Sequence, residues 1–554
     1  MTQDSWTDDE AQRLIRHFTN LDRDVFGLTL PAEIAGALFS RYSRSNKSLR
    51  RTFLDEFAAH PDLPLARATA GAEAGPPEEA LKRAREFYDR VLVGYGDDSV
   101  AQLGGAHLAC EGISNLAANL LEDARIGIAP LEKSTRYVRF DQRDAAGRYA
   151  YYREPRILAS EHAGAYVTAL DGLFETYARL MEPVLGFVRE RLPIEQVEFK
   201  HPRTGEPLGY AATAADAKLR AWLDSAYRAT VRAQACDILR GLLPVATLTN
   251  VGLYGNGQAF EYLLTKLYSH PLAEMRALAG DMHRELNQLI PSFIRRAARS
   301  DYLAAVRTGT ALAAAAVAGD RATHDSGVSV RLIAFDGAAE DKILAALLFP
   351  RTTLGLGELL DTVRAFGPDE RTRLLEACLS QRRHRRDKPG RALENASYTF
   401  EVTCNIGSYR DLHRHRILTQ ERQDFTVLHG YDLPSEIIEM GQRVAFETAI
   451  EAAAAVWTRL APAFPEEAQY LVPFAHRVRW YLTANLRELY HLVELRTMPQ
   501  GHPDYRLVAQ ELWRQVKNVH PHLAFYAKFV DWNAYRLGRL QSELRTEFKK
   551  SSQS

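Results

Sequence analysis

The side chains most able to do chemistry are crowded into the run Leu412-His413-Arg414-His415-Arg416-Ile417. Four cationic or titratable side chains occupy consecutive positions, which is typical of a site that holds an anion with guanidinium forks. The same run could instead complement the carboxyl end of a helix, because basic residues in the last turn offset the helix dipole. The local sequence leaves both interpretations open.

The elements that must position this run are a strand and a short helix. The alternate residues of the preceding segment are apolar and share one side: Tyr398, Phe400, Val402 and Cys404. Ser408 stands three residues before Asp411, which predicts a capping box at a helix start. We therefore expect the basic run in the last turn of a helix that follows a strand.

A second candidate site is the segment Leu131 to Tyr137, which follows Pro130 in a turn-like context. The Ser134 hydroxyl and the Arg136 guanidinium could hold a phosphate, because one donates a single hydrogen bond and the other a bidentate fork. The alternative is an ST-turn in which Arg136 is solvated.

A third candidate site lies on a helix predicted from about Trp480 to Arg496, with apolar residues at spacings of three and four. At about 100° per residue, Asn485 and Arg496 fall on one flank of the apolar stripe. Arg487 and His491 fall on the opposite flank. One small ligand would not contact both flanks, and an ordinary amphipathic helix is the alternative.

Composition limits the class of protein. Seventy basic residues balance seventy acidic ones among 554 residues, so no global field attracts nucleic acid or a membrane. The four cysteines lie far apart, which argues against a disulfide framework or a zinc site and favours a reducing compartment. No apolar run is long enough to span a bilayer, and we expect a cytoplasmic location. The pair Asp97-Asp98 is typical of helix caps, so no metal is expected.

Two halves of the chain share landmarks. Leu243-Pro244 precedes Asn256 by twelve residues, and Val472-Pro473 precedes Asn485 by the same twelve. Arg-Ile pairs lie upstream of each, at residues 125–126 and 416–417. These spacings indicate an internal duplication.

The predicted fold class is α+β, with two tandem modules that each have a small sheet flanked by many helices. The predicted domains are residues 20–305, with an insertion near 190–220, and residues 328–540. A linker is predicted at 306–327, and a loop at Ala68 to Pro77.

On these residues the chain resembles the flavin-dependent thymidylate synthase family, present as two tandem, diverged copies. The family signature is Arg-His-Arg, seven residues and then Ser, in a segment that continues to Arg-Tyr. The second half supplies Arg414-His415-Arg416, and the first supplies Glu132, Ser134 and Arg136-Tyr137. Family positions near the flavin are matched by Glu394, Asn485, Arg487, His491 and Arg496, with His491 replacing the usual Asn. A family Arg before the Pro landmark corresponds to Arg240.

The departures from the family pattern are complementary. The first half has Asp123-Ala124-Arg125 in place of Arg-His-Arg, with one residue too many before Ser134, and Gln258 in place of an Arg. The second half has Asp424 at the Ser position and Gln469 where the first has Arg240. The first half thus keeps nucleotide-type residues, and the second keeps flavin-type residues.

The resemblance implies an FAD-dependent thymidylate synthase that converts dUMP to dTMP with methylenetetrahydrofolate and NADPH. It implies that Arg136 and Arg496 are catalytic and that the substrate is bound by Glu132, Ser134, Arg136, Arg240 and Arg496. The implied cofactor residues are Glu394, Arg414, His415, Arg416, Asn485, Arg487 and His491. It also implies a homodimer that acts as a pseudo-tetramer, because family members are homotetramers.

Two other functions stay open. Asp424 at the Ser position motivates a flavoprotein that alkylates another pyrimidine nucleotide. The incomplete motifs motivate a non-catalytic flavin- or nucleotide-binding regulator. A nucleic-acid-binding module is disfavoured, because the chain has neither net positive charge nor a basic-aromatic array.

Overall fold

The computed structural model describes residues 5–30, 32–43, 45–58, 102–318 and 327–553. The predicted loop at Ala68 to Pro77 and the pair Asp97-Asp98 lie outside the described residues. Parts of the predicted first domain and of the predicted linker also lie outside them.

The helices of the described residues are α1 (Asp8–Leu14), α2 (Ala32–Tyr42), α3 (Leu49–Thr52), α4 (Asn115–Glu122), α5 (Pro155–Leu158), α6 (Ala163–Arg191), α7 (Ala217–Leu239), α8 (Gly257–Tyr268), α9 (Ala273–Leu289), α10 (Asp301–Ala318), α11 (Ala339–Leu348), α12 (Leu356–Arg364), α13 (Pro368–Leu379), α14 (Ile406–Leu412), α15 (Ser435–Glu439), α16 (Arg443–Leu460), α17 (Leu486–Arg496), α18 (Pro503–Val519), α19 (Pro521–Phe525) and α20 (Leu540–Gln553). The strands are β1 (Gly105–Ser114), β2 (Ile128–Glu132), β3 (Glu198–Lys200), β4 (Pro207–Gly209), β5 (Leu248–Asn256), β6 (Ser329–Phe335), β7 (Ser397–Asn405), β8 (Leu418–Arg422) and β9 (Arg477–Asn485). Within these residues, no helix has both the length and the apolar character needed to cross a membrane.

The sheets confirm the predicted α+β class and carry the signature of the duplication. One sheet has the strand order β1-β5-β2, and another has the order β6-β7-β9-β8. The two copies share the same order of elements along the chain. A strand leads into a helix, a second strand follows, and the strand that is central in the sheet then leads into another helix. The pairs β1–α4 and β5–α8 in the first copy correspond to β7–α14 and β9–α17 in the second.

The register of the strands fixes the equivalence of the two copies. Ile128 pairs with Gly255 in the first copy, and Leu418 pairs with Ala484 in the second. The next residue in each central strand is the Asn256 or Asn485 that caps the following helix through its side chain. This register makes Ser134 equivalent to Asp424, as the motif comparison predicted.

The extra residue of the first copy lies in the turn between α4 and β2. Arg125 precedes its strand residue Ile128 by three positions, whereas Arg416 precedes Leu418 by two. Gly127 in this turn has a φ of +81°, a left-handed conformation that favours glycine. The turn therefore absorbs the additional residue without changing the strand pairing.

The two Pro landmarks pair with each other about a local two-fold axis. Pro244 and Pro473 form an isolated antiparallel bridge. Two pairs of reciprocal backbone hydrogen bonds flank this bridge. The first pair is Val245 N to Val472 O and Phe474 N to Leu243 O, both 2.9 Å. The second pair is Ala246 N to Tyr470 O at 3.1 Å and Ala475 N to Gly241 O at 2.9 Å. Such reciprocity is the property of an interface between two identical subunits.

Two compact units make up the chain, and they interleave in sequence. One comprises residues 1–113, 120–132 and 250–320, and the other comprises 114–119, 133–249 and 321–554. In the first unit, α1 to α3 enclose a small apolar cluster around Leu14, Phe18 and Phe53. In the second, Tyr398, Phe400, Val402 and Cys404 are buried, which confirms the alternation predicted for β7. The predicted domain boundaries stay predictions.

Several local predictions are wrong. Pro130 lies inside strand β2 rather than in a turn, and the helix predicted from Trp480 is strand as far as Asn485. The N-cap of α14 is Asn405, whose Oδ1 accepts from the Ser408 backbone N–H at 2.8 Å. The helix also ends at Leu412, so the Arg-His-Arg run follows it instead of occupying its last turn.

The additional elements of the first copy are larger than the predicted insertion. The hairpin β3–β4 lies within residues 190–220, and the helix α7 follows it. The hairpin is held by α20, because the Gln541 side chain bonds both the N–H and the carbonyl of Lys200, at 2.7 and 2.8 Å. The predicted linker begins within helix α10.

Candidate functional site

The turn after β2 places Arg136 in a buried position. The Ser134 Oγ accepts a hydrogen bond from the Arg136 backbone N–H at 3.2 Å, the ST-turn that was the alternative interpretation. Arg136 is nevertheless not solvated, since only 8% of it is exposed. A buried guanidinium requires anionic or polar partners, and the structure supplies them.

Asp237 at the end of α7 pairs with Arg136 through both of its oxygens. The Arg136 Nε and Nη2 atoms lie 2.9 and 3.2 Å from the two carboxylate oxygens, and Arg539 Nη2 lies 2.6 Å from one of them. Burial alone would raise the pKa of Asp237, but Arg136 and Arg539 hold it well below its usual range. For the cationic Arg136 the signs are reversed: burial alone would lower its pKa, but the charge of Asp237 raises it. This triad is ionised, with one carboxylate shared between two guanidinium groups.

Arg240 forms a second buried pair with Asp411 of α14. The Arg240 Nη1 atom lies 2.9 Å from Asp411 Oδ2, and Arg240 is 4% exposed. Burial opposes the ionised form of Asp411, but Arg136, Arg240 and Arg414 together lower its pKa. A Cβ atom on Gly407 would lie 2.9 Å from Arg240 Nε, so the small residue leaves room for the guanidinium. Within the described residues, Arg240 Nη2 has no hydrogen-bond partner.

The two predicted half-sites meet at Thr135. Arg410 of α14 donates from Nη1 to Thr135 Oγ1 at 3.1 Å, and its guanidinium lies 4.7 Å from the centre of the Phe474 ring. The turn that carries Ser134 and Arg136 therefore contacts the helix that leads to the Arg-His-Arg run.

His415 links this cluster to the helix α17. Its Nε2 accepts from Arg496 Nε at 3.0 Å, and its Nδ1 lies 2.7 Å from Glu488 Oε1. An arginine can only donate, so Nε2 carries the lone pair and the proton is on Nδ1, directed at Glu488. Burial, with Arg496 nearby, lowers the pKa of His415, which agrees with a neutral ring. Burial also lowers the pKa of Arg496, partly offset by Asp411.

Glu488 also lies beside His491. One ligand atom from each of His415, Glu488 and His491 falls within 4.8 Å of the others, a donor set that could hold a metal ion. Burial raises the pKa of Glu488 and lowers that of His491. The charges around His491 include Lys388, Arg385 and Arg496, and this surplus of positive charge disfavours a cation.

A small cleft of about 100 Å³ lies beside this group. Its lining residues are Arg382, Arg385, Lys388, Pro389, Glu394, Ile417, Asn485, Arg487, Glu488, His491 and Glu494. Arg487 donates to Glu394 Oε1 at 2.8 Å and to the Pro389 carbonyl at 2.9 Å. Arg385 and Lys388 form no ion pair with any described residue, so their charges are available to an anion.

The remaining predicted residues are placed as follows. Arg414 is partly buried near Asp411. Arg416 is exposed, and its neighbour Ile417 lines the cleft. Glu132 is buried at the end of β2, in the other compact unit. As the flank analysis predicted, Arg487 and His491 share one site whereas Arg496 contacts His415. Asn485 was predicted on the same flank as Arg496, but it lines the cleft with Arg487 and His491, because it is the N-cap of α17 rather than a residue within the helix.

Comparison with known proteins agrees with the repeated topology. A family described as "Thymidylate synthase complementing protein" matches residues 57–292 and 341–522, together more than half of the chain. The chain belongs to this family. The two matched segments fall one in each half, which confirms the resemblance inferred from the motifs.

Relatives within and beyond this family extend the comparison. A UPF0159 protein of Chlamydia pneumoniae is 39% identical over 98% of this chain and 99% of its own length. A UPF0159 protein of Thermoplasma acidophilum is 35% identical over 93% of this chain and 98% of its own length. A flavin-dependent thymidylate synthase of Geobacter sulfurreducens is 31% identical over 23% of this chain and 60% of its own length. A solved UMP/dUMP methylase from Streptomyces cacaoi, bound with 5-Br dUMP, covers 37% of this chain at a TM-score of 0.29 and 20% identity, too low to carry an argument.

Several residues of this family member were missed by sequence reasoning. The cationic residues of the cleft belong to the run Arg382 to Lys388, whose charge density was a readable signal. Asp237 and Asp411 gave no such signal, because an isolated carboxylate on a helix is ordinarily solvated. Their role depends on tertiary partners from distant parts of the chain.

Proposed function

We propose that this chain is an FAD-dependent methylase of a pyrimidine nucleotide, with conversion of dUMP to dTMP as the leading reaction. One observation carries the proposal: first-half Thr135, Arg136 and Arg240 lie in one buried cluster with second-half Asp411 and His415. Membership of the thymidylate synthase complementing protein family supports it, as does the partial similarity to flavin-dependent thymidylate synthases.

Arg496 is the best candidate to contact the nucleotide. Only its Nε is bonded, to His415, so within the described chain both Nη groups retain donors for a carbonyl or phosphate oxygen. Arg136 has a different part in the proposal. Its guanidinium is already bonded to Asp237. Arg136 therefore holds the turn of Ser134 in place and contributes positive electrostatic potential rather than a free pair of donors. Glu132 and Ser134 stay proposed substrate residues.

The cleft beside His491 suits the anionic part of a flavin nucleotide. Arg385, Lys388 and Arg487 supply cationic donors, which is the donor set that a pyrophosphate needs. Its volume of about 100 Å³ accommodates only one group of such a cofactor. We propose that Glu394, Arg414, Arg416 and Asn485 complete this binding region. Bound FAD would supply hydride chemistry, with NADPH as reductant and methylenetetrahydrofolate as the one-carbon donor.

The chain's own groups account for orientation and proton handling. The bond from Arg496 fixes the His415 tautomer, so His415 donates its Nδ1 proton to Glu488 and cannot accept there. A carboxylate oxygen of Glu488 lies within 4.8 Å of a ring nitrogen of His491, which is exposed at the mouth of the cleft. We therefore propose that His415 keeps its Nδ1 proton and orients Arg496, and that Glu488 and His491 are the groups that exchange protons with solvent.

A decisive experiment is the release of tritium from [5-³H]dUMP, because any new carbon bond at C5 must displace that hydrogen. We expect purified protein to take up FAD, seen by visible absorption, and to release tritium when NADPH and methylenetetrahydrofolate are present. Arg496→Gln should abolish release while the flavin spectrum persists. Arg459→Gln, a change of an exposed arginine at the end of α16, is the matched control and should change neither. A protein that takes up no FAD and releases no tritium would refute the proposal.

A second candidate is binding of the same ligands without turnover. Asp237 and Asp411 favour it, because they already neutralise Arg136 and Arg240 where the family resemblance places an anionic substrate. This candidate predicts a bound flavin that NADPH does not reduce. Anaerobic bleaching of the flavin absorption by NADPH separates the two candidates.

A further inference from the structure

The first copy contains a pocket at the position equivalent to the cationic cleft of the second copy. Six lining residues correspond one to one, five by the register of the strands and Ile126 through the Arg-Ile pair that precedes the extra residue of the turn. Ile126, Asn256, Gln258, Ala259, Tyr262 and Thr265 stand where the second copy has Ile417, Asn485, Arg487, Glu488, His491 and Glu494. The two pockets therefore derive from one ancestral site.

The first-copy pocket differs in size and in charge. Its volume is about 530 Å³, against about 100 Å³ in the second copy, and it falls in the range of small-molecule sites. Among the described residues, the charged ones that line it are Glu261 and Arg296, which neutralise each other in a bidentate pair at 2.8 and 3.1 Å. The described part of the lining thus has no uncompensated charge to attract a phosphate.

The walls of this pocket offer an aromatic face and a polar amide edge. Tyr262 is 58% exposed, and Lys266 Nζ lies 5.1 Å from the centre of its ring, so one cation can cover only one face. Gln102 donates to Gln258 Oε1 at 2.8 Å. Whichever way both amides are oriented, one oxygen and one NH₂ group stay unbonded within the described chain.

An acceptor beside a donor matches the edge of a lactam, in which a ring N–H neighbours a carbonyl. We propose that this first-copy pocket binds a neutral, planar heterocycle with a lactam edge. The ring stacks on Tyr262, and Gln102 and Gln258 bond its edge. Phosphorylated forms are not favoured, because Gln258 replaces Arg487 and the one cation among the described lining residues, Arg296, is paired with Glu261. The proposal depends on neither flavin binding nor turnover.

Thymidine is a suitable probe, and N3-methylthymidine is its matched control, because the methyl group removes the lactam N–H. We expect isothermal titration to show one thymidine per chain, with N3-methylthymidine about 10-fold weaker through the lost hydrogen bond. Tyr262→Ala should weaken thymidine binding by about 5-fold to 150-fold, the range for loss of one aromatic stack. Tyr262→Phe should retain binding.

Variants in the second copy localise the bound probe. His491→Ala changes the position equivalent to Tyr262, and Arg496→Gln changes the proposed nucleotide site; both should leave thymidine affinity unchanged. Gln258→Leu should abolish the preference for thymidine over N3-methylthymidine, even if Tyr262→Ala proves poorly folded by circular dichroism. Thymidine binding that is lost in Arg496→Gln but kept in Tyr262→Ala would assign the probe to the proposed nucleotide site and overturn the inference. Absence of binding at 10-millimolar probe, roughly the weakest measurable affinity, would also overturn it.

Discussion

Removing the charge of Asp237 tests whether the buried arginine cluster is held by that carboxylate. In the variant Asp237→Asn the shape of the side chain is kept, but two guanidinium groups lose their shared counter-charge. The side chains of Asp237, Arg136 and Arg539 are 9%, 9% and 6% exposed, so water cannot replace it. Breaking a buried pair from one side typically costs about 3–5 kcal/mol. We expect a loss of that size in the free energy of unfolding.

The assay is urea unfolding followed by circular dichroism, at pH 7.5 and moderate salt. Because a chain of this length can unfold in more than one step, the transition that carries the loss must be identified in each variant. Asp361→Asn is the matched control: Asp361 is 80% exposed and pairs with Arg364 at 3.0 Å on a helix surface. An exposed pair contributes about 0–1 kcal/mol, so this control should barely move the transition.

A double-mutant cycle with Arg539→Gln separates charge from packing. If Asp237 acts as a counter-charge, the cost of Asp237→Asn should be clearly smaller when Arg539 has already lost its charge. Equal costs in both backgrounds would show that the carboxylate contributes only local packing. A loss below about 0.5 kcal/mol in the single variant would refute the reasoning altogether, because that is the scale of surface substitutions.

Three further predictions follow from the burial of one histidine and from the space around two glycines. Burial lowers the pKa of His476 to about 3, so the stability that depends on its neutral ring is fully present above the unfolded pKa near 6.5 and declines as the pH falls from there towards 3, because the unfolded state gains the proton first. We expect wild type to lose about 2 kcal/mol more stability than His476→Gln between pH 7.5 and pH 5, measured by urea unfolding at each pH; identical pH profiles would contradict this assignment. Gly186 in α6 has open space at its Cβ position, so Gly186→Ala should stabilise by about 0.5–1 kcal/mol. Gly538→Ala should instead lower the melting temperature, since its Cβ would overlap the Pro499 carbonyl; a neutral result would show that this segment is not packed as described.

Periodicity and motif order were enough to predict the repeated architecture. Alternation identified β7, and the spacing from Pro to Asn in each half indicated the duplication, although not that these residues form the central strands. The boundary between β9 and α17 was not predictable in the same way. The residues from Trp480 to Asn485 carry apolar positions compatible with either period, and Asn485 acts as a cap only once the strand pairing is formed.

The partners of the site residues depend on tertiary structure that no local pattern encodes. Arg136 and Arg240 were visible as cations, but the pairing of each with a carboxylate joins segments 101 and 171 residues apart. The tautomer of His415 likewise follows from Arg496 and Glu488, on a helix more than 70 residues away. Sequence therefore identified candidate donors, whereas only the fold shows which of them are already satisfied.

The duplication explains why the described residues form one such buried cluster of charges rather than two. The register that makes Ser134 equivalent to Asp424 also makes Arg240 equivalent to Gln469. The helices α4 and α14 are equivalent as well, because each begins with a matching backbone bond: Asn115 N to Thr247 O in the first copy and Ile406 N to His476 O in the second. Asp411 then corresponds to Leu120. The ion pair between Arg240 of the first copy and Asp411 of the second is thus matched by Gln469 of the second copy and Leu120 of the first. In an assembly of identical subunits such a loss would remove every site at once. In a tandem chain each half can lose a function that its partner retains, so a single substitution in Arg240 or Asp411 should have no second cluster to compensate for it.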